Sequence, residues 1–317
     1  MESFVAALLE SRGPLIDLPR IIATWPVLGN NVMNLGEVGR AVQLRGSSGH
    51  YFMKRRPSAA HAAREASVLG YLRDRGLPVP EHVRTARGEP FASESESGRE
   101  VTCLYRALPG NHYESFDGKP GVIRARQVGK ALGCLHLALA EVPSTAGFDR
   151  YGPGAQLARE LACAGSVYDV ARLERIAARR SPPDNLPEQL IHRDFHLYNL
   201  LFIDGRPSGY LDFDMLMRGP RLFDVCYCTI ETLAKRFDEP NFPEYWFRVL
   251  GAILKGYMEH VLLTALERSS VVSAMMEIQV LFMHHFRAEP IPGKNAERVL
   301  HWLDERRHLI QSVVESV

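Results

Sequence analysis

The chain has 317 residues, 46% apolar and 24% charged, the balance of a globular protein large enough for two lobes. Its 38 basic residues are offset by 37 acidic ones, which argues against broad electrostatic capture of nucleic acid or of an acidic membrane surface. A local basic pocket of the kind phosphate binding needs is not excluded.

Met1 to Gly13 carries Glu2 and Glu10 and lacks the basic-then-apolar order of a signal peptide. Val271–Phe286 is interrupted by Glu277, Gln279, His284 and His285, so no membrane span is expected. The 5 cysteines contain no CxxC pair, which predicts neither a disulfide framework nor a zinc ribbon and points to a reducing cytoplasm.

In chain order, Ala41–Arg45 and His50–Lys54 predict a hairpin turned by Gly46-Ser47-Ser48-Gly49. Ser58–Gly76 follows, with Ala59, Ala63, Ala66, Leu69 and Leu72 at helical spacing and Gly76 as the stop. Further strands are expected at His82–Thr85 and Glu100–Tyr105, on either side of a polar turn at Ser93–Gly98. Leu108-Pro109-Gly110 breaks the pattern. Helices are expected at Val122–Glu141 and Gln156–Arg180 and again from Phe223 to the end, with short strands and loops from Gln189 to Phe223. The expected architecture is α+β: a small antiparallel sheet lobe with one inserted helix over residues 1–107, then a larger, mainly helical lobe over 108–317.

Within the strand-and-loop block, His192-Arg193-Asp194-Phe195-His196-Leu197-Tyr198-Asn199 has the pattern H-R-D-x-x-x-x-N. Phosphoryl transfer needs positioning more than covalent help: a carboxylate to take the acceptor's hydroxyl hydrogen bond, and a nearby carbonyl oxygen for magnesium. Asp194 and Asn199 fit those roles. Tyr210-Leu211-Asp212-Phe213-Asp214 comes next, and a turn at Gly205–Gly209 would return Asp212 beside Asn199, completing a hard-oxygen set for Mg2+. Upstream, Lys54 ends a strand and Glu65 lies in the following helix, as in kinases where a glutamate orients a lysine that grips the ATP phosphates. Read singly, Lys54 is the solvated end of the basic run Lys54-Arg55-Arg56, and Glu65 could pair with Arg64 or Arg73. His192 and His196 fall in a loop, so a zinc site is not expected. Asp224 is expected to hold the catalytic loop by hydrogen bonds or to cap a helix. Asp214 reads as either a supporting or a direct metal contact.

His192–Asn199, Asp212–Asp214 and Gly219-Pro220-Arg221-Leu222-Phe223-Asp224 resemble the aminoglycoside phosphotransferase superfamily, which includes choline, homoserine and methylthioribose kinases and some spore-coat proteins. The resemblance runs over roughly residues 20 to 290 and takes in Leu108-Pro109-Gly110 and Leu135-His136. It implies a protein-kinase-like two-lobed fold, ATP and Mg2+, Asp194 as base, Asn199 and Asp212 as metal ligands and Lys54 on the phosphates. It also implies that Val101–Tyr105 and the connector Arg106–Leu108 present backbone groups to adenine. The chain departs from the family at Arg193, where glycine is frequent, and at Leu197-Tyr198, where Pro-Gly is frequent. Gly29–Asn34 holds the place of a phosphate-covering loop without a G-x-G-x-x-G motif.

The expected function is therefore phosphorylation of a hydroxyl on a small molecule: an amino acid, amino sugar, aminoglycoside or related metabolite. A non-catalytic coat or binding protein of the same fold is the alternative. A protein kinase ranks below both, because Ala-Pro-Glu is absent and Met215–Arg221 is too short for an activation segment. A cationic acceptor would call on Glu231, Glu259 and Glu277.

Overall fold

The computed structural model describes residues 23–29, 32–38, 41–93, 100–113, 115–143, 147–151, 185–286 and 289–317. The expected helix at Gln156–Arg180, Asn30 and Asn31 of the loop before the hairpin, and most of the turn at Ser93–Gly98 lie outside the described residues. The chain divides into two compact units, Met1–Pro109 with Gly209–Leu211, and Gly110–Ser208 with Asp212–Val317.

The first unit is an antiparallel sheet in the order β1 (Met33–Val38), β2 (Ala41–Gly46), β3 (Gly49–Arg56), β6 (Val101–Arg106), β4 (Glu81–His82), with β5 (Ala92–Ser93) also on β6. The predicted hairpin is β2–β3, closing at the pair Gly46 and Gly49 around Ser47-Ser48. β1 and β5 were not foreseen: β1 exposes Met33 to Glu37 and so lacks an apolar alternation to read, and β5 is two residues long. One sheet face, with Val42, Leu44, Tyr51, Met53 and Leu104, closes on Trp25 and Leu28. The indole N–H of Trp25 donates to the Val83 carbonyl at 2.9 Å.

α1 (Ala59–Asp74) follows β3. Ser58 caps it, its hydroxyl accepting from the His61 amide at 3.1 Å, and the exit is a left-handed Gly76 with Leu77 N–H returned to the Leu72 carbonyl. The expected apolar face is corrected. Ala62, Glu65, Val68, Leu69 and Leu72 are buried, because alanines around the whole helix left its inner face undefined by hydropathy. A carboxylate sits in the buried stripe.

The second unit begins with α2 (Gly118–Ala140), which lies along α4 (Phe242–Met258). A Cβ added at Gly129 would stand 2.0 Å from the Ile253 carbonyl oxygen, and one at Gly256 would stand 2.0 Å from that of Arg126, so the two backbones meet through glycines. The strand block gives β7 (Glu188–Ile191) paired with β10 (Met217–Pro220), and a hairpin of β8 (Leu200–Ile203) and β9 (Arg206–Tyr210). The predicted turn at Gly205–Gly209 is corrected to Asp204-Gly205, both at positive φ, with Arg206–Gly209 inside the strand. The turn at its tip is thus a two-residue Asp-Gly. At the other end of the strand Tyr210, which belongs to the first unit, donates its amide to the Pro78 carbonyl of that same unit at 2.9 Å.

Helices α3 (Leu222–Lys235), α4, α5 (Ala265–His285), α6 (Pro290–Glu305) and α7 (Arg307–Glu315) complete the unit. A capping box of Thr264 and Glu267 starts α5, and the same Glu267 carboxylate takes two hydrogen bonds from Arg221 at 2.7 and 2.9 Å. No helix among the described residues is long and apolar enough to cross a membrane.

Candidate active site

The loop after β7 is suspended from one carboxylate. Asp224 has no exposed surface; its oxygens accept from the His192 and Arg193 amides, each at 2.7 Å. His136 on α2 places Nε2 3.0 Å from Asp224 Oδ2, and its Nδ1 meets the Tyr257 hydroxyl at 2.9 Å. A carboxylate beyond the ring makes Nε2 the donor and Nδ1 the acceptor. Of the two readings of Asp224, the loop-holding one is what the structure shows.

His192 itself is buried, its ring 4.8 Å from that of Phe213 and 6.0 Å from that of Phe195. The loop then makes a single turn, Leu197–Asn199, capped by His196, whose Nδ1 accepts from the Tyr198 amide at 3.2 Å. That bond fixes the proton on Nε2, which lies 3.4 Å from Asp194 Oδ1.

Asp194 and Asn199 are brought into contact. The Asn199 amide nitrogen donates to the Asp194 carbonyl at 2.8 Å and to Oδ2 at 3.0 Å. Because both Asp194 atoms are acceptors, it is the nitrogen end of the amide that faces Asp194; the same nitrogen lies 3.2 Å from His196 Nε2. The Tyr227 hydroxyl donates to the other carboxylate oxygen, Oδ1, at 2.8 Å. Burial pushes the Asp194 carboxyl up, but hydrogen bonds from His196 and Tyr227 and the nearby imidazole charge outweigh it and hold the group below its ordinary value. Burial likewise lowers His196, while Asp194 and the Glu231 charge together raise it. The Asp194 side chain keeps 19% of its surface exposed, enough for an acceptor hydroxyl to reach it.

Asp212 follows β9, and the hairpin returns the chain to the end from which Asn199 leads into β8. Asp212 adopts φ 61° and Arg193 φ 67°. The other non-glycine residues at positive φ among those described are Asp204, in the hairpin turn, and Asn241, at the start of α4. Left-handed backbone costs about 1–3 kcal/mol in a non-glycine residue and persists where surrounding bonds enforce it. One of these residues precedes the candidate base Asp194, and the other, Asp212, is itself a candidate metal ligand.

In the first unit Lys54 lies on β3 opposite Cys103 of β6, with its side chain half-buried. Glu65 reaches that strand, where it binds Arg56. The guanidinium grips the carboxylate twice, at 2.6 and 2.9 Å, and Tyr105 adds its hydroxyl at 2.8 Å. Arg56 is a partner of Glu65 that the sequence reading, which weighed Lys54, Arg64 and Arg73, did not consider. Lys54 and Arg56 share one face of the strand, so alternation could not choose between them. Burial opposes the Glu65 charge, yet Arg56 brings the carboxyl below its usual range. Arg106 ends β6 exposed, 3.5 Å from Glu81 Oε2 and over the Tyr51 ring. The Ala107 amide donates to His50 at 2.9 Å, and Leu108 follows half-buried.

The model of the phosphotransferase enzyme family matches residues 34–258. This chain belongs to that family. Among curated relatives, a homoserine kinase of Bradyrhizobium sp. is 28% identical over 169 residues, 51% of this chain and 49% of that protein. A homoserine kinase of Pseudomonas aeruginosa is 31% identical over 163 residues, 50% and 49% of the two chains. The chain thus spans about half the length of the curated relatives it matches. Among solved structures, amicoumacin kinase hAmiN in complex with AMP-PNP, Ca2+ and Ami superposes with a TM-score of 0.70 at 14% identity, covering 96% of each chain. A microcompartment-associated aminopropanol kinase gives 0.63 at 16% identity, over 94% of this chain and 96% of that one. These likenesses establish the phosphotransferase fold.

Within this family member, sequence reasoning overlooked Tyr227 and the role of His196. Tyr227 had a usable signal: it stands three residues after Asp224 on α3, so it shares the helix face that touches the loop. The acidic residues weighed for a cationic acceptor are placed as follows. Glu231 is paired with Lys235, and Glu259 with Arg126 and Lys130. Glu277 is buried and accepts from the Tyr151 hydroxyl at 3.2 Å.

Proposed function

We propose that this chain transfers the γ-phosphate of ATP to a hydroxyl of a small molecule. The observation that carries the proposal is the fixing of Asp194: both carboxylate oxygens are held by donors, from Tyr227 and Asn199, and the group is kept ionised while still partly exposed. An ionised, oriented carboxylate accepts the acceptor hydroxyl's hydrogen bond, aims its oxygen at the phosphorus and takes the proton as the new bond forms. His196 Nε2–H and the Tyr227 hydroxyl hold the carboxylate against rotation while that happens.

Asn199 Oδ1 and the Asp212 carboxylate are a hard-oxygen pair suited to Mg2+, which neutralises phosphate charge when bound. Lys54 is assigned to the ATP phosphates. Glu65, held by Arg56 and Tyr105, serves by fixing α1 on the strand that carries Lys54. The backbone at Arg106–Leu108 is assigned to the adenine. The 1–107 segment is accordingly the nucleotide-binding lobe and 108–317 the catalytic and acceptor-binding lobe. Hydroxylated amino acids and amino alcohols are the acceptor classes that the named relatives and neighbours support.

Asp194→Asn keeps shape and hydrogen bonding but removes the proton acceptor. Magnesium-dependent ADP release should fall by about 10²–10⁴-fold, with ATP affinity by calorimetry largely retained. Near-normal turnover in this variant would remove Asp194 from the chemistry.

A further inference from the structure

Helix α3 turns one side toward the loop that holds the candidate base. Asp224, in its first turn, takes the His192 and Arg193 amides. Tyr227, Glu231 and Lys235 follow at intervals of four residues, a spacing that keeps them on one side of a helix. The Tyr227 hydroxyl donates to Asp194, and the Glu231 charge acts on His196. The Lys235 ammonium stands 3.8 Å from the centre of the Tyr198 ring. Successive side chains of the helix therefore serve every second residue of the loop: Asp194, His196 and Tyr198.

Tyr198 is the middle residue of the turn Leu197–Asn199, which is three residues long and contains no proline, so its own backbone gives it little rigidity. Within it the Tyr198 amide donates to His196 Nδ1 at 3.2 Å and the Asn199 amide to the His196 carbonyl at 3.0 Å. Its last residue is Asn199, whose side-chain nitrogen donates to Asp194 Oδ2. A cation against the Tyr198 ring attracts it electrostatically and so fixes the middle of the turn from outside. The cation is itself held, because Lys235 is ion-paired with the buried Glu231 one helical turn before it.

We propose that Lys235 is a positioning residue for phosphoryl transfer, a role that rests on the phosphotransfer reading above: by clamping the Tyr198 ring it holds the Leu197–Asn199 turn, and through Asn199 it holds the Asp194 carboxylate in its reactive orientation.

The test pairs amide hydrogen exchange with kinetics on the full chain. Lys235→Met alone would strand the buried Glu231 charge, so it is combined with Glu231→Gln, and Glu231→Gln alone serves as the reference. Against that reference the Tyr198 and Asn199 amides should exchange faster by about tenfold or more, while the His192 and Arg193 amides, held by Asp224, should not change. Tyr198→Leu should do the same at Asn199, whereas Tyr198→Phe keeps the ring and Lys235→Arg keeps the cation, and both should stay close to the parent. Magnesium-dependent ADP release, with homoserine, aminopropanol or water as acceptor, should fall by about tenfold in kcat with KM little changed. In an Asp194→Asn background the Lys235→Met and Glu231→Gln combination should add no further loss, since the clamp acts through that carboxylate. Unchanged exchange at Tyr198 and Asn199 would overturn the proposal. So would an equal rise at all four amides, or the full loss of turnover persisting in the Asp194→Asn background. Failure of the phosphotransfer reading looks different: the parent chain itself would release no ADP and bind no Mg-ATP by calorimetry, and the positioning role would fall with it.

Discussion

Asp224 is fully buried and accepts from two consecutive backbone amides and from His136, so three donors depend on one side chain. Each donor left unpaired in the interior costs about 1–3 kcal/mol. Asp224→Ala should therefore destabilise the chain by about 3–5 kcal/mol, read as a lowered denaturant midpoint, with turnover lost in step as Arg193 leaves its left-handed backbone. Unchanged stability would mean that the loop holds its shape without this carboxylate. Glu277 is the opposite case, a buried carboxyl with a tyrosine hydroxyl for company and a pKa raised by burial from 4.5 to about 7. The unfolded chain releases this proton near the ordinary value and the folded chain only near neutrality, so between those two values the folded state holds more protons and stability falls as pH rises. That gap is worth about 3 kcal/mol at most. Glu277→Gln keeps an acceptor for Tyr151 and should raise Tm relative to the parent at pH 8 while leaving pH 4 nearly unaffected. Equal shifts at both pH values would contradict the buried-carboxyl account.

At the scale of elements, the contact of α2 with α4 depends on residues that have no side chain. Gly256→Ala would press a methyl to 2.0 Å from the Arg126 carbonyl oxygen, and backbone cannot yield as a flexible side chain can. The cost should be about 3 kcal/mol or more, above the usual penalty of overpacking, and visible as a large drop in Tm. Gly70 in α1 has nothing within 4 Å of its added Cβ, so Gly70→Ala should instead stabilise by about 0.5–1 kcal/mol. Similar effects at the two positions would show that the helix contact is looser than drawn. The loop after β7 depends on this packing as well, since His136 on α2 and Tyr257 on α4 meet each other behind Asp224.

Over the whole molecule, the elements with local causes were legible in the chain. Ser58 and Gly76 bracket α1, the Gly46–Gly49 turn gives the β2–β3 hairpin, and H-R-D-x-x-x-x-N places Asp194 and Asn199 at a spacing that one short turn closes into a hydrogen bond. Element type and the order of sheet before helices follow from such signals because capping, turn chemistry and periodicity act over a few residues. The partners of charged side chains did not follow. Lys54 and Arg56 are indistinguishable by strand alternation, and that Arg56 binds Glu65 follows from how α1 lies on the sheet. Tyr227 reaches Asp194 across a gap of 33 residues, and Glu277 is buried against Tyr151 across 126, separations over which composition carries no signal. The sequence by itself thus determined the phosphotransferase pattern and the polar residues its chemistry calls for. Tertiary structure alone decided which of them are paired, which are buried, and that Arg193 lies against the rings of Tyr151 and Phe223, because those outcomes depend on packing between elements distant in the chain.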